Sequence, residues 1–139
     1  MSSLMSTSGK FSWLDYQGLA EKLWMDSLRT EAGLRSVASR ACYFAYHAVT
    51  DAAYSRGYSL PGDPSQGHSE LPRWLGSCGS WSVARNLSKT LGRMKRNRHH
   101  ADYRDDPFTP EQAETSLILS RQVKEYLGIP GDVSLPKKP

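Results

Sequence analysis

The residues with the most chemical potential in this chain lie close together, in the segment KRNRHHADYRDD from Lys95 to Asp106. An arginine offers a fixed fork of donors to phosphate oxygens. A histidine that titrates near neutrality can move a proton on or off a ribose 2′-hydroxyl or a leaving oxygen. A tyrosine hydroxyl can orient either group. If the segment is helical, Arg96, His100 and Tyr103 stand at i, i+4 and i+7 and share one face. With Asn97 to hold the arginine or the phosphate, these are sufficient parts for metal-independent RNA cleavage, in which the RNA's own 2′-hydroxyl is the nucleophile. His99 is the alternative acid/base, and Arg93, Lys95 and Arg98 are candidate RNA contacts. Two other readings remain open for the same segment. Cations near a helix C-terminus are favoured by the helix dipole, by about 0.3–1 kcal/mol each, with no function required. Metal binding by His99 and His100, with Asp102, is disfavoured because helical neighbours point about 100° apart and no further Cys or His is near.

Charge is concentrated in the same place. Between Arg85 and Arg104 there are seven basic residues against one acid, a surplus of +6 that exceeds the +4 of the whole chain. One element therefore carries the positive field.

The elements that must position this segment read as helices. The chain has 139 residues, 38% hydrophobic and 23% charged, the proportions of one globular domain with a real core. Residues 1–10 (MSSLMSTSGK) lack an apolar segment, so they are expected to be a flexible start rather than a secretory signal. No apolar run approaches the roughly 20 residues of a membrane span, and a cytoplasmic protein is expected. Two cysteines without a Cys-x-x-Cys pair predict reduced thiols, Cys42 in a core and Cys78 in a loop.

A first helix is predicted over 11–28, with Tyr16, Ala20, Leu23 and Ser27 as its stripe and Trp13, Trp24 and Leu28 beside it. A second is predicted over 30–56. Leu34, Val37, Ala41, Ala45, Ala48 and Ala52 line one small-residue face that lets other helices approach closely, which makes this the central helix of a bundle. Its aromatics Tyr43, Phe44, Tyr46 and Tyr54 suit either core packing or a platform for stacking bases. His47, on the same helix, reads as a packing histidine. After the turn-rich YSLPGDPSQG, a short helix over 69–75 is expected, with His68 before it in a capping or loop-bonding role, and Gly76 as its end.

Ser80 is the expected cap of the helix that carries the basic segment, with Ala84, Leu87, Leu91 and Met94 as its buried stripe. The last helix has the clearest start: Thr109 as N-cap, Pro110 in the first turn and Gln112 completing a capping box. Leu119, Val123, Tyr126 and Leu127 are its predicted buried face, and residues 129–139 a flexible tail. The expected fold is all-α, an up-down bundle of four main helices and a short one within 11–128.

The chain resembles the HEPN superfamily (higher eukaryotes and prokaryotes nucleotide-binding domain) over roughly 11–127. The resemblance rests on SRACYFAYHAVTDAA (Ser39 to Ala53), on GHSEL at the third helix and on RNRHHADYRDD. It implies a helical bundle that forms a homodimer, with a site where two copies of an arginine-polar…histidine motif face each other. If Arg96-Asn97 is that pair, Tyr103 falls in the tyrosine's place and Ala101 in the histidine's; if Arg93 is the motif arginine, His99 and His100 meet the spacing instead. The first register matches more features, including the Ala-Asp-Tyr ending. The resemblance implies a metal-independent endoribonuclease of the toxin-antitoxin or phage-defence kind, without a cofactor. Its alternative is a non-catalytic module that binds RNA, a nucleotide or a partner protein such as a nucleotidyltransferase. Non-specific nucleic-acid binding through the basic helix is a third expectation.

Overall fold

The computed structural model describes residues 11–26, 30–59 and 67–130. The expected termini 1–10 and 131–139, and the stripe members Ser27 and Leu28, lie outside these. Five helices follow in order: α1 (Leu14–Met25), α2 (Glu31–Tyr54), α3 (Gly67–Ser77), α4 (Ala84–Tyr103) and α5 (Pro110–Tyr126). Among the described residues there is no strand, and no helix is long and apolar enough to cross a membrane.

α2 is the centre, packed against α1, α4 and α5, while α3 lies on α4. Of the predicted face, Leu34, Val37, Ala41 and Ala45 are buried while Ala48 and Ala52 are only half so, and Ala38, Val49 and Ala53 complete the buried side. α1 runs antiparallel to α2, α2 to α4 and α4 to α5, as paired contacts show, so that α5 lies parallel to α2. Tyr16 of α1 meets Tyr43 of α2, and Trp13 meets His47. Ser39 of α2 reaches Asp102 of α4, and Asn97 of α4 reaches Ser116 of α5. The up-down bundle is therefore present, with α3 longer than expected.

Local chemistry sets most boundaries. Thr30 caps α2 by accepting from Gly33 N–H at 3.1 Å, and Gly57, at φ 100°, takes the left-handed conformation that stops it. Thr109 and Gln112 form the full capping box of α5, with Pro110 in the first turn. Three boundaries differ from expectation. α1 starts at Leu14 rather than Phe11, because its first turn bonds back to Ser12 and Trp13. α3 extends over Gly76, so that glycine does not end it.

α4 starts at Ala84 behind Val83, which makes no side-chain cap, so Ser80 is not its N-cap. The reason is tertiary. Trp81 is buried under the Arg56 guanidinium, 4.4 Å from its ring centre, and this holds the preceding turn out of helical register. The stripe Ala84, Leu87, Leu91 and Met94 is buried as predicted. On α5, Leu119 and Val123 are buried, Tyr126 and Leu127 only half so, and Ala113, Ser116 and Leu117 complete the face.

One polar network joins α1 to α5 inside the bundle. Buried Glu21 takes a two-pronged contact from Arg121, at 2.9 and 2.8 Å, and a 2.7 Å bond from Gln17 Nε2. With both carboxylate oxygens occupied, the buried charge is compensated.

Candidate nucleic-acid interface

α4 sorts its chemical side chains onto three directions, and the structure separates residues that the spacing alone would group. Inward, Asn97 donates through Nδ2 to the Gln112 carbonyl and to Ser116 Oγ, both at 2.8 Å. Asn97 thus ties α4 to α5 and is not turned to Arg96 or to solvent. Ala101, in the position where the resemblance would put a histidine, is buried.

His100 is similarly committed. The capping box holds the Gln112 amide with Oε1 accepting from Thr109 N–H at 2.9 Å, so its Nε2 must face His100 Nδ1, 3.0 Å away. An amide nitrogen only donates. Nδ1 is therefore an acceptor, and the imidazole proton sits on Nε2, beside the Asp106 carbonyl (3.4 Å) and carboxylate (3.5 Å). The ring packs edge-on against buried Phe108. Both nitrogens of His100 have partners, and neither partner is Arg96 or Tyr103.

The loop beyond α4 is held from the central helix. Arg35 of α2 donates to the carbonyls of His100 (3.2 Å), Ala101 (3.0 Å), Arg104 (2.6 Å) and Asp106 (2.7 Å). Glu31 steadies the guanidinium from the preceding turn at 2.9 Å. One cation therefore gathers carbonyls at and just beyond the helix end and sits at the negative end of its dipole. Arg104 pairs with Asp106 at 2.7 Å. Desolvation pushes the Asp106 carboxyl up, but the hydrogen bond and charge of Arg104, with the charge of His100, together outweigh it and hold the group below its ordinary range.

Outward, Arg85, Lys89, Arg93 and Arg96 are all exposed. Their spacing of four, four and three keeps them within about 80° of one another on a helix of 3.6 residues per turn. None of the four makes a hydrogen bond or ion pair among the described residues. The stripe continues to Tyr103, 67% exposed, about 27 Å along the helix from Arg85. His99 is exposed beside Tyr103, with ring centres 5.2 Å apart. His99 and His100 thus point apart, and among the described residues no cluster of three metal-ligating side chains forms.

On its third side α4 meets α2 around a cavity of about 280 Å³. Leu91, Gly92, Lys95, Arg98 and Tyr103 line it from α4, Cys42, Tyr43, Tyr46 and His47 from α2, and Pro72 from α3. Arg98 is held in place: Asp102 takes one donor at 3.3 Å, and the rings of Tyr43 and Tyr103 lie 5.8 and 5.9 Å from its Cζ. Its side chain is only 18% exposed. His47 is stacked flat on Trp13 at 3.6 Å. Burial pushes the Cys42 thiol up to about 11, against a smaller opposite pull from the Arg98 charge. Cys42 is thus an uncharged wall of the cavity at neutral pH.

Of the residues named from sequence, Lys95, Arg98 and Tyr103 converge on the cavity, Arg93 and Arg96 share the outer stripe, and Asn97 and His100 serve the α4–α5 junction. The aromatics of α2 divide: Phe44 is core, while Tyr43 and Tyr46 reach the cavity. The roles of Arg35 and Gln112 were not found from sequence. Gln112 had a signal, as the capping-box residue, but its second bond depends on a histidine twelve residues away. The side chain of His68 lies outside the described residues. In comparison with known proteins, no family model matches the chain, and no curated protein or solved structure matches it either.

Proposed function

We propose that this chain is an all-α module that binds single-stranded RNA along the outer face of α4 and does not cleave it. The observation that carries the reading is the row Arg85, Lys89, Arg93 and Arg96, four exposed cations on one face with no internal partner. Cations that a fold needs for itself are paired, as Arg35, Arg98, Arg104 and Arg121 are. The unpaired row leads to exposed Tyr103 and His99, rings of the kind on which unpaired bases stack. The resemblance to the HEPN superfamily points to the same ligand class.

Cleavage is the weaker reading because its acid/base is engaged. To act on a 2′-hydroxyl, His100 would have to leave Gln112 or Asp106, and it would still lack contact with Arg96 and Tyr103. The resemblance further implies a homodimer, in which two such stripes would face one groove; sedimentation with and without RNA reads that directly.

The test is anisotropy of a labelled 12-nucleotide RNA over a salt series. Four phosphate contacts predict a slope of log K against log salt of about −3, hence roughly 50-fold weaker binding at 200 mM than at 50 mM. Arg93→Ala and Arg96→Ala should each make the slope shallower by about 0.7. Binding that ignores salt, or that survives the double substitution unchanged, would overturn the reading.

A further inference from the structure

The cavity between α2 and α4 contains more chemistry than a basic RNA track requires. We infer that it is a binding site for one nucleoside monophosphate unit, with the phosphate on Lys95 and Arg98 and the base against Tyr43 and Tyr103. The inference rests on the RNA-binding reading only where the unit is the end of a strand; a free nucleotide would carry the same chemistry.

Size is the first argument. About 280 Å³ lies just below the range of roughly 300–1,000 Å³ typical of small-ligand pockets, which leaves room for one nucleotide unit and not for several. Charge is the second. Lys95 is exposed and makes no ion pair among the described residues, and Arg98, with five N–H donors, keeps some beyond those engaged by Asp102, Cys42 and Tyr103. Two adjacent cations, one fixed and one free, suit a dianionic phosphate better than a carboxylate.

Aromatic lining is the third. Tyr43 is 37% and Tyr103 67% exposed, and both flank the Arg98 guanidinium, so a planar ring entering there meets two π faces and a cation. The rest of the site is built in advance. His47 is clamped by Trp13, and Cys42 stays a neutral thiol beside the anion. Gly92 adds no side chain; within 4 Å of the place a Cβ would occupy there is only Arg96 Nη1, at 3.7 Å. The absence of a side chain keeps the cavity edge open and brings an arginine of the outer stripe beside it, which gives an RNA strand on the stripe a path into the cavity.

The experiment is calorimetric titration of the folded chain with AMP, UMP, adenosine and inorganic phosphate, beside competition by RNA octamers carrying a 5′-phosphate or a 5′-hydroxyl. AMP and UMP should bind at least tenfold more tightly than adenosine or phosphate alone. Tyr43→Ala and Lys95→Ala should each weaken AMP about tenfold. Gly92→Leu, which keeps helix propensity while crowding the cavity edge, should abolish AMP binding, with a thermal melt verifying that the variant is folded.

A tenfold advantage of the 5′-phosphorylated octamer would support the site with a strand end as its source; equal octamers with tight AMP would support it with the free nucleotide. Failure of both nucleotides to bind the folded wild-type chain would overturn the inference, as would AMP binding indifferent to Gly92→Leu and Tyr43→Ala. Salt-dependent RNA binding without AMP binding defeats this inference alone, whereas AMP binding without RNA binding defeats the RNA-track reading alone.

Discussion

Replacing Arg35 with alanine removes the group that closes the end of α4. Its guanidinium spans four carbonyls, those of His100, Ala101, Arg104 and Asp106, and also pairs with Glu31. The carbonyls lie at a half-exposed helix end and would regain water, so the loss is not four separate bonds. A net hydrogen-bond value for a charged donor is about 1.5–3 kcal/mol, the helix-end charge adds about 0.3–1 kcal/mol, and the half-exposed Glu31 pair adds at most about 0.5 kcal/mol. A total of about 2–4 kcal/mol is expected. At about 2.1 cal/mol/K per residue, 139 residues unfold with an entropy of about 0.3 kcal/mol/K, so Tm should fall by about 7–14 °C. Calorimetry or a circular-dichroism melt reads this, with a urea series to verify an unchanged m-value. Arg35→Lys should recover less than half, since one ammonium cannot span the same carbonyls. Glu31→Ala should cost no more than about 0.5 kcal/mol. A Tm drop below 2 °C for Arg35→Ala, or equal losses for Arg35→Ala and Glu31→Ala, would refute the reasoning.

Asn97→Ala should cost about 1.5–3 kcal/mol, because buried Ser116 and the Gln112 carbonyl lose their donor, while RNA affinity of the folded variant stays within twofold; a loss of affinity at unchanged stability would return Asn97 to the ligand site. Gly92→Ala should stabilise the chain by about 0.5–1 kcal/mol, since glycine is the poorer helix former and the new Cβ meets only ordinary contact; a lower Tm would show that the space is filled. The Cys42 thiol titrates higher when folded than when unfolded, so its contribution is complete below pH 9 and is lost as pH rises toward 11. Cys42→Ala should flatten the fall of stability over that window, and an identical slope in both proteins would contradict the burial. Labelled RNA incubated in EDTA should stay intact with the wild-type chain; cleavage that vanishes in His100→Ala would restore the nuclease reading.

How much could be seen in the sequence depended on distance along the chain. The capping box at Thr109, the stripe Ala84–Leu87–Leu91–Met94 and the small-residue face of α2 rest on contacts within a turn or two or on periodicity, and both are visible in one dimension. The start of α4 was not, because Trp81 is drawn away by Arg56, twenty-five residues earlier. The site divides in the same manner. Spacing put Arg96, His100 and Tyr103 on one face; Arg96 and Tyr103 are exposed there, but His100 is turned to α5. It could not tell that Gln112 reaches back to His100, or that Arg35 closes a helix end 65–71 residues away. The cavity was hidden for the same reason: Tyr43 and Tyr46 had two open roles until α4 brought Lys95 and Arg98 opposite them.

The central claim is that α4 presents its outer face and its α2-facing flank to RNA. The most direct test is amide chemical-shift mapping of the labelled chain during titration with a short single-stranded RNA. Shifts should cluster at Arg85, Lys89, Arg93, Arg96, Tyr103 and across to Tyr43, leaving the Glu21–Arg121 face of α1 and α5 unmoved. Shifts centred on α1 and α5, or none at saturating RNA, would contradict it.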